Sequence, residues 1–291
     1  MPLTTEELYR AHVRNLRAVD SACVHTYREL KRCIVTKQFT AVNALLKTFT
    51  LLIGAWSEVR LLKLIYEPNG FQNADRARIL GVNAKIDQWK LSLEIGFRRR
   101  YNIPNAALSR QSLPLTAHLR YQEITSLIES DLRPIVEIRN KLAHGQWART
   151  LNNEMNDISQ NMMALLNTEN ALSANFKKHI IEVLSRIVND LVVGGPAFDR
   201  DFDSHYQILE QTRTNLHTRN YDQWAKGTSL SEVLRSDMCE IDQAILSDLR
   251  AQTPAPRSRR CTSSTTELRP QAPTRASHPA RLRQQTGSWQ R

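Results

Sequence analysis

With 291 residues and 41% hydrophobic content, the chain is long enough for a substantial core, and a mean hydropathy of −0.46 argues for a soluble protein. Only nine glycines are present, and neither a Walker sequence nor a dinucleotide fingerprint occurs, which excludes a phosphate-cradling loop. The net charge of +11 is uneven: residues 251–291 hold eight arginines and one glutamate, a balance of +7, leaving +4 for the remainder. Attraction to nucleic acid or acidic partners is thus partly a property of the tail.

Taken in order, glycine-poor sequence with helical periodicity predicts an all-α protein: an up-down bundle with additional C-terminal helices and a disordered basic tail. Thr4-x-x-Glu7 is a capping-box pattern and opens the first helix, and residues 1–37 form an N-terminal segment whose many cations read as a solvated face. Phe39, Val42, Leu46, Phe49, Ile53 and Trp56 recur at steps of three and four, a core-facing stripe that Pro68-Asn69-Gly70 ends as a turn. The most apolar run, Thr48 to Ser57, is ten residues, short of the roughly 20 that span a bilayer, so no membrane partner is expected.

A third helix is predicted from about Ala74 to Tyr101 with Ile79, Val82, Ile86, Trp89, Leu93 and Phe97 inward. It closes on Arg98-Arg99-Arg100, cations that suit a helix C-terminus and are candidates for RNA backbone contacts. After a loop or short helix over 102–114, Ile124, Ile128, Leu132, Ile135, Ile138 and Leu142 keep one register, interrupted by Pro134, which is expected to kink the helix. Residues 154–192 predict one or two further helices, and Gly194-Gly195-Pro196 ends a unit spanning 38–195. A helical extension over 196–250 follows, with a last helix capped by Ser229-x-x-Glu232, then the Pro/Ser/Arg-rich segment 251–291, too poor in apolar residues to order itself. The four cysteines, Cys23, Cys33, Cys239 and Cys261, show no metal-ligand or paired spacing, which suits a reducing cytoplasm, and no metal or other cofactor is expected.

The chemistry concentrates in Arg139-Asn140-Lys141-Leu142-Ala143-His144-Gly145-Gln146-Trp147. Asn140 and His144 are four apart and share a helix face, whereas Arg139 and His144 are separated by roughly 500° of rotation. Gly145 suits a left-handed cap, and unwinding around residues 143–145 is expected to bring Arg139, Asn140 and His144 to one space. Arginine grips phosphate through paired hydrogen bonds, and an imidazole near neutrality gives or takes a proton. RNA supplies its own 2′-hydroxyl nucleophile, so cleavage needs a base, an acid and positive charge, without metal. A second spaced pair, Arg200 and His205, follows the Gly-Gly-Pro break and carries two aspartates that oppose phosphate. Trp147 suits a core, or with Arg149 the stacking of a nucleobase.

The word Arg139-Asn140-x-x-Ala143-His144-Gly145, behind an apolar helix containing a proline, resembles the signature of the HEPN superfamily, an arginine with a polar neighbour followed by a histidine. The likeness covers residues 38–195, and its specific part is 121–147. It implies an all-α bundle, usually dimeric, whose catalytic members are metal-independent endoribonucleases and often toxins or defence effectors with a neutralising protein partner. On that reading Arg139 binds phosphate, Asn140 positions the histidine or substrate, and His144 transfers the proton. Lys141, Arg149, Arg98, Arg99 and Arg100 extend RNA binding. The competing expectations are a non-catalytic HEPN-like module that binds RNA or protein, and a scaffold that recruits through its basic tail.

Overall fold

A computed structural model describes residues 2–228, all-α apart from one isolated bridge between Leu151 and Ile158. The predicted helix after Ser229, the basic tail, Cys239 and Cys261 lie outside the described residues. Ten α-helices run as α1 Thr5–Val35, α2 Phe39–Tyr66, α3 Asn73–Leu80, α4 Lys85–Arg100, α5 Leu115–Leu127, α6 Arg133–Ala143, α7 Gln160–Thr168, α8 Ala171–Val192, α9 Ala197–Thr218 and α10 Tyr221–Gly227.

The predicted capping box closes as expected: the Thr4 hydroxyl accepts from the Glu7 amide and Glu7 reaches back to Thr4. Helix α1 then doubles back on α2, the central element, which packs against α1, α6 and α8. Phe49, Ile53 and Trp56 are buried, but Phe39 is 77% exposed, because it is the first residue of α2 and lies beyond the reach of its neighbours. The apolar helix is also longer than the ten-residue run: α2 has 28 residues and by length and composition alone could cross a membrane. From Phe49 to Ile65 it buries nine residues against other helices.

The predicted helix from Ala74 to Tyr101 is two helices, α3 and α4, broken at residues 81–84. The inward register survives the break because the Gln88 carboxamide, itself buried, donates to the Val82 carbonyl at 2.6 Å and replaces the helical partner it lost. The α5–α6 run also departs from one continuous helix. A π turn, Ile128–Leu132, widens it just before Pro134, and the proline falls in the first turn of α6, where a missing N–H costs little. The register from Ile124 to Leu142 nevertheless stays buried throughout. Glu129 in this turn is held by Lys90 and Arg133, and those bonds pull its carboxyl down to about 2.

Helices α8 and α9 pack together across the Gly194-Gly195-Pro196 corner, with Ile180, Leu184, Ile187, Val188 and Leu191 buried as the periodicity predicts. Cys23 and Cys33 are buried free thiols, and burial pushes the Cys23 thiol up to about 12, which keeps it protonated and unreactive.

Candidate functional site at the end of helix 6

Helix α6 stops where its sequence allows it to. Gly145 takes φ +76°, its amide donates to the Leu142 carbonyl at 3.1 Å, and the Gln146 amide donates to the Lys141 carbonyl at 3.0 Å, a Schellman cap. His144 is the C-cap residue and is exposed. The chain after the cap is strapped back onto the helix: Lys141 Nζ donates to the Leu151 carbonyl at 2.6 Å and the Leu151 amide donates to Gln146 Oε1 at 2.7 Å. The Trp147 indole donates to the Leu142 carbonyl at 2.9 Å and packs on Ile138, Leu142 and Leu166. Trp147 therefore takes the core role.

Between this strap and α6 lies an open cleft of about 810 Å³. Asn140, Lys141 and His144 line it from α6, Asn152 and Met155 from the strap, and Met162 from α7. Asn152 holds the tip of the strap by accepting from the Asn156 amide, and Met155 sits there exposed at φ +59°, a backbone region that non-glycine residues seldom occupy. Glu137 is the one carboxylate on the cleft wall, and Arg133 lies 3.8 Å from it. Among the described residues no carboxylate pairs with the His144 imidazole, in contrast to His205, whose Nε2 is 3.2 Å from Asp190 Oδ2.

Arg139 does not join them. Its side chain turns toward α2, with Nη2 2.9 Å from Glu58 Oε2 and Nη1 donating to Asn140 Oδ1 at 3.0 Å, while its Nε is buried without a partner among the described residues. The expected unwinding comes too late to change this, since α6 stays helical through Ala143 and the wide rotation between residues 139 and 144 is retained. Close approach is possible only because position 54 is glycine: a Cβ there would lie 2.3 Å from Arg139 Cβ. The arginine thus reaches the cleft only through the Asn140 carboxamide.

The remaining candidates divide. Arg149 is exposed and has no side-chain partner among the described residues. Arg98 donates to Glu94 at 2.8 Å and to the Ala106 carbonyl at 2.6 Å, Arg99 to the Gly70 carbonyl, and Arg100 to the Gly195 carbonyl and Asp199. The triplet staples three loops, although Arg99 stays exposed and gives one bond to them among the described residues.

Comparison of the chain with protein-family models, with curated proteins and with solved structures finds no match. Among the described residues no group of three His, Cys, Asp or Glu side chains is arranged to hold a metal ion. Several cleft residues were not predicted. Met155 and Met162 carry no sequence signal that distinguishes them from packing methionines. Asn152 lies in Asn152-Asn153-Glu154-Met155-Asn156-Asp157, a turn-rich composition that marks a loop but not what it faces. Glu58 is far from Arg139 in sequence, and no spacing rule joins them.

Proposed function

We propose that this protein is a metal-independent endoribonuclease of the HEPN type that cuts RNA through its own 2′-hydroxyl, working as a homodimer in toxin or defence chemistry. The observation that carries the reading is the shared cleft: an exposed imidazole at a capped helix end, a carboxamide four residues before it and a lysine ammonium beside them. In the cleavage step a neutral imidazole takes the 2′-hydroxyl proton, O2′ bonds to phosphorus, and the P–O5′ bond breaks as a protonated imidazole delivers its proton to O5′. Products are a 2′,3′-cyclic phosphate and a free 5′-hydroxyl. One His144 cannot begin in both states, so two copies of the chain supply the pair. Lys141 uses one N–H on Leu151 and keeps two for phosphoryl oxygens. Arg139 acts here as a positioning residue: tied to Glu58, it fixes the Asn140 carboxamide oxygen and leaves the Asn140 NH2 group to face substrate or imidazole.

A second reading follows from the same ion pair. Because Arg139 is engaged by Glu58 and Asn140, the arginine also serves as a link between α2 and α6, and a chain that only needed this link would be a non-catalytic module binding RNA or protein. Incubation of the purified full chain with labelled single-stranded RNA in EDTA separates the two. The ribonuclease reading expects fragments ending in 2′,3′-cyclic phosphate, lost with His144→Ala and reduced with Arg139→Lys at unchanged helicity. Intact RNA retarded on a gel supports the RNA-binding module, and RNA neither cut nor bound removes both RNA readings and leaves only a module that binds protein.

A further inference from the structure

A second cavity, of about 430 Å³, opens between α1, α8 and the corner joining α9 to α10. Its walls are the rings of Tyr27, Phe176 and Trp224, its polar groups include the carboxamides of Asn175 and Gln223, and its one charge is Arg219. Each feature has a bland alternative, since aromatic side chains are usually core and a surface arginine is usually solvated. Three observations weigh against that here. Two of the rings are fixed from outside the cavity: Tyr27 stacks on Phe49 at 5.1 Å between centroids, and Trp224 lies against Tyr221 at 5.7 Å. Phe176 stacks on no other ring among the described residues and is only partly buried. Arg219 is exposed with no side-chain partner among the described residues, and no carboxylate lines the cavity with it.

The chemistry of this set narrows the ligand. Aromatic walls, two of them fixed by neighbouring rings, favour a planar ring, because much of the stacking is gained without ordering the protein first. Carboxamides offer both a donor and an acceptor to a heterocycle edge. An unpartnered guanidinium favours a phosphate or carboxylate, and the absence of any acidic lining group disfavours zwitterions and cations. The volume lies within the range of small-ligand sites, roughly 300–1,000 Å³.

We propose that this cavity binds a nucleotide, its base stacked on Phe176 and Trp224 and its phosphate held by Arg219. Tyr27 and Asn175 also border an adjoining recess of about 120 Å³ that contains Lys31, so a second phosphate of the same strand has a cation to meet. The nucleotide has two possible sources, a free mononucleotide or one unit of single-stranded RNA, for which aromatic platforms and backbone cations are the recognised combination. The inference does not rest on cleavage at His144.

Calorimetric titration of the full chain with each of the four ribonucleoside 5′-monophosphates, with the matching nucleosides and with a six-nucleotide RNA tests it. The His144→Ala variant serves for the RNA, so that the strand stays whole. Saturable binding of a mononucleotide, at least tenfold weaker in Trp224→Leu and in Arg219→Gln, supports the free ligand. Binding of the oligonucleotide alone, with the same two losses, supports the strand. Arg219→Gln removes an exposed side chain with no side-chain partner among the described residues, and the matching nucleoside must be insensitive to it. The proposal is overturned by nucleotide binding that both variants leave within twofold, by binding lost on His144→Ala instead, or by no binding of any of these ligands.

Discussion

Two arginine–histidine pairs with identical spacing, Arg139/His144 and Arg200/His205, end in different surroundings. His205 lies inside α9, where the helix continues for thirteen further residues, and it is paired with Asp190 of α8. Arg200 is occupied by the adjacent Asp201 through two bonds of 2.6 and 2.7 Å. His144 instead caps a helix that Gly145 terminates, faces an open cleft and has no carboxylate partner among the described residues. The spacing is the same, so spacing did not decide the outcome. A helix end and the lack of a pairing carboxylate among the described residues did, because together they leave the imidazole accessible from the cleft.

Substitutions at matched positions sharpen the contrast. The largest effect is expected on turnover: His144→Ala lowers RNA cleavage by about 10²-fold or more, the usual range for losing a proton-transfer group. His205→Ala leaves the rate within twofold. Next is Gly54→Ala, which drives a methyl into Arg139 and forces α2 and α6 apart, with an expected cost of about 1–3 kcal/mol in denaturant unfolding. If stability is unchanged, the close crossing that aims Arg139 and Asn140 is not real. Gly145→Ala is milder: nothing lies within 4 Å of the added carbon, so only the left-handed backbone resists it, at about 1 kcal/mol.

The smallest effect is a pH dependence at the π turn that leads into α6. Glu129 is held at about 2 by its bonds to Arg133 and Lys90, below its ordinary 4.5. Its contribution is therefore present above about pH 4.5 and is lost as pH falls toward 2. The side chain is about one-third exposed, so solvent screening keeps the effect small. Thermal melts between pH 6 and pH 2 should show the wild type losing more stability than Glu129→Gln, and parallel losses would remove this anchor from the account.

The sequence made some of this legible and hid the rest for identifiable reasons. The Thr4 box, the apolar register from Ile124 to Leu142 and the stop at Gly145 are local, set by neighbours within a turn, and they appear where local rules put them. The break between α3 and α4 escaped because the Ile79-to-Phe97 register runs through it unbroken, and the compensating Gln88 bond is a tertiary detail. Arg98, Arg99 and Arg100 were readable as cations at a helix C-terminus, but the loop carbonyls each of them bonds are positions no sequence pattern encodes. The joint facing of Asn140 and His144 was readable from a four-residue step. Arg139 was not, since its orientation depends on Glu58 and Gly54 of another helix.

The decisive measurement compares wild type, His144→Ala and His205→Ala on one labelled single-stranded RNA in EDTA, with the ends of the products identified. Wild type and His205→Ala are expected to give 2′,3′-cyclic phosphate ends, and His144→Ala none. Equal cleavage by all three, or cleavage lost only with His205→Ala, would contradict that expectation.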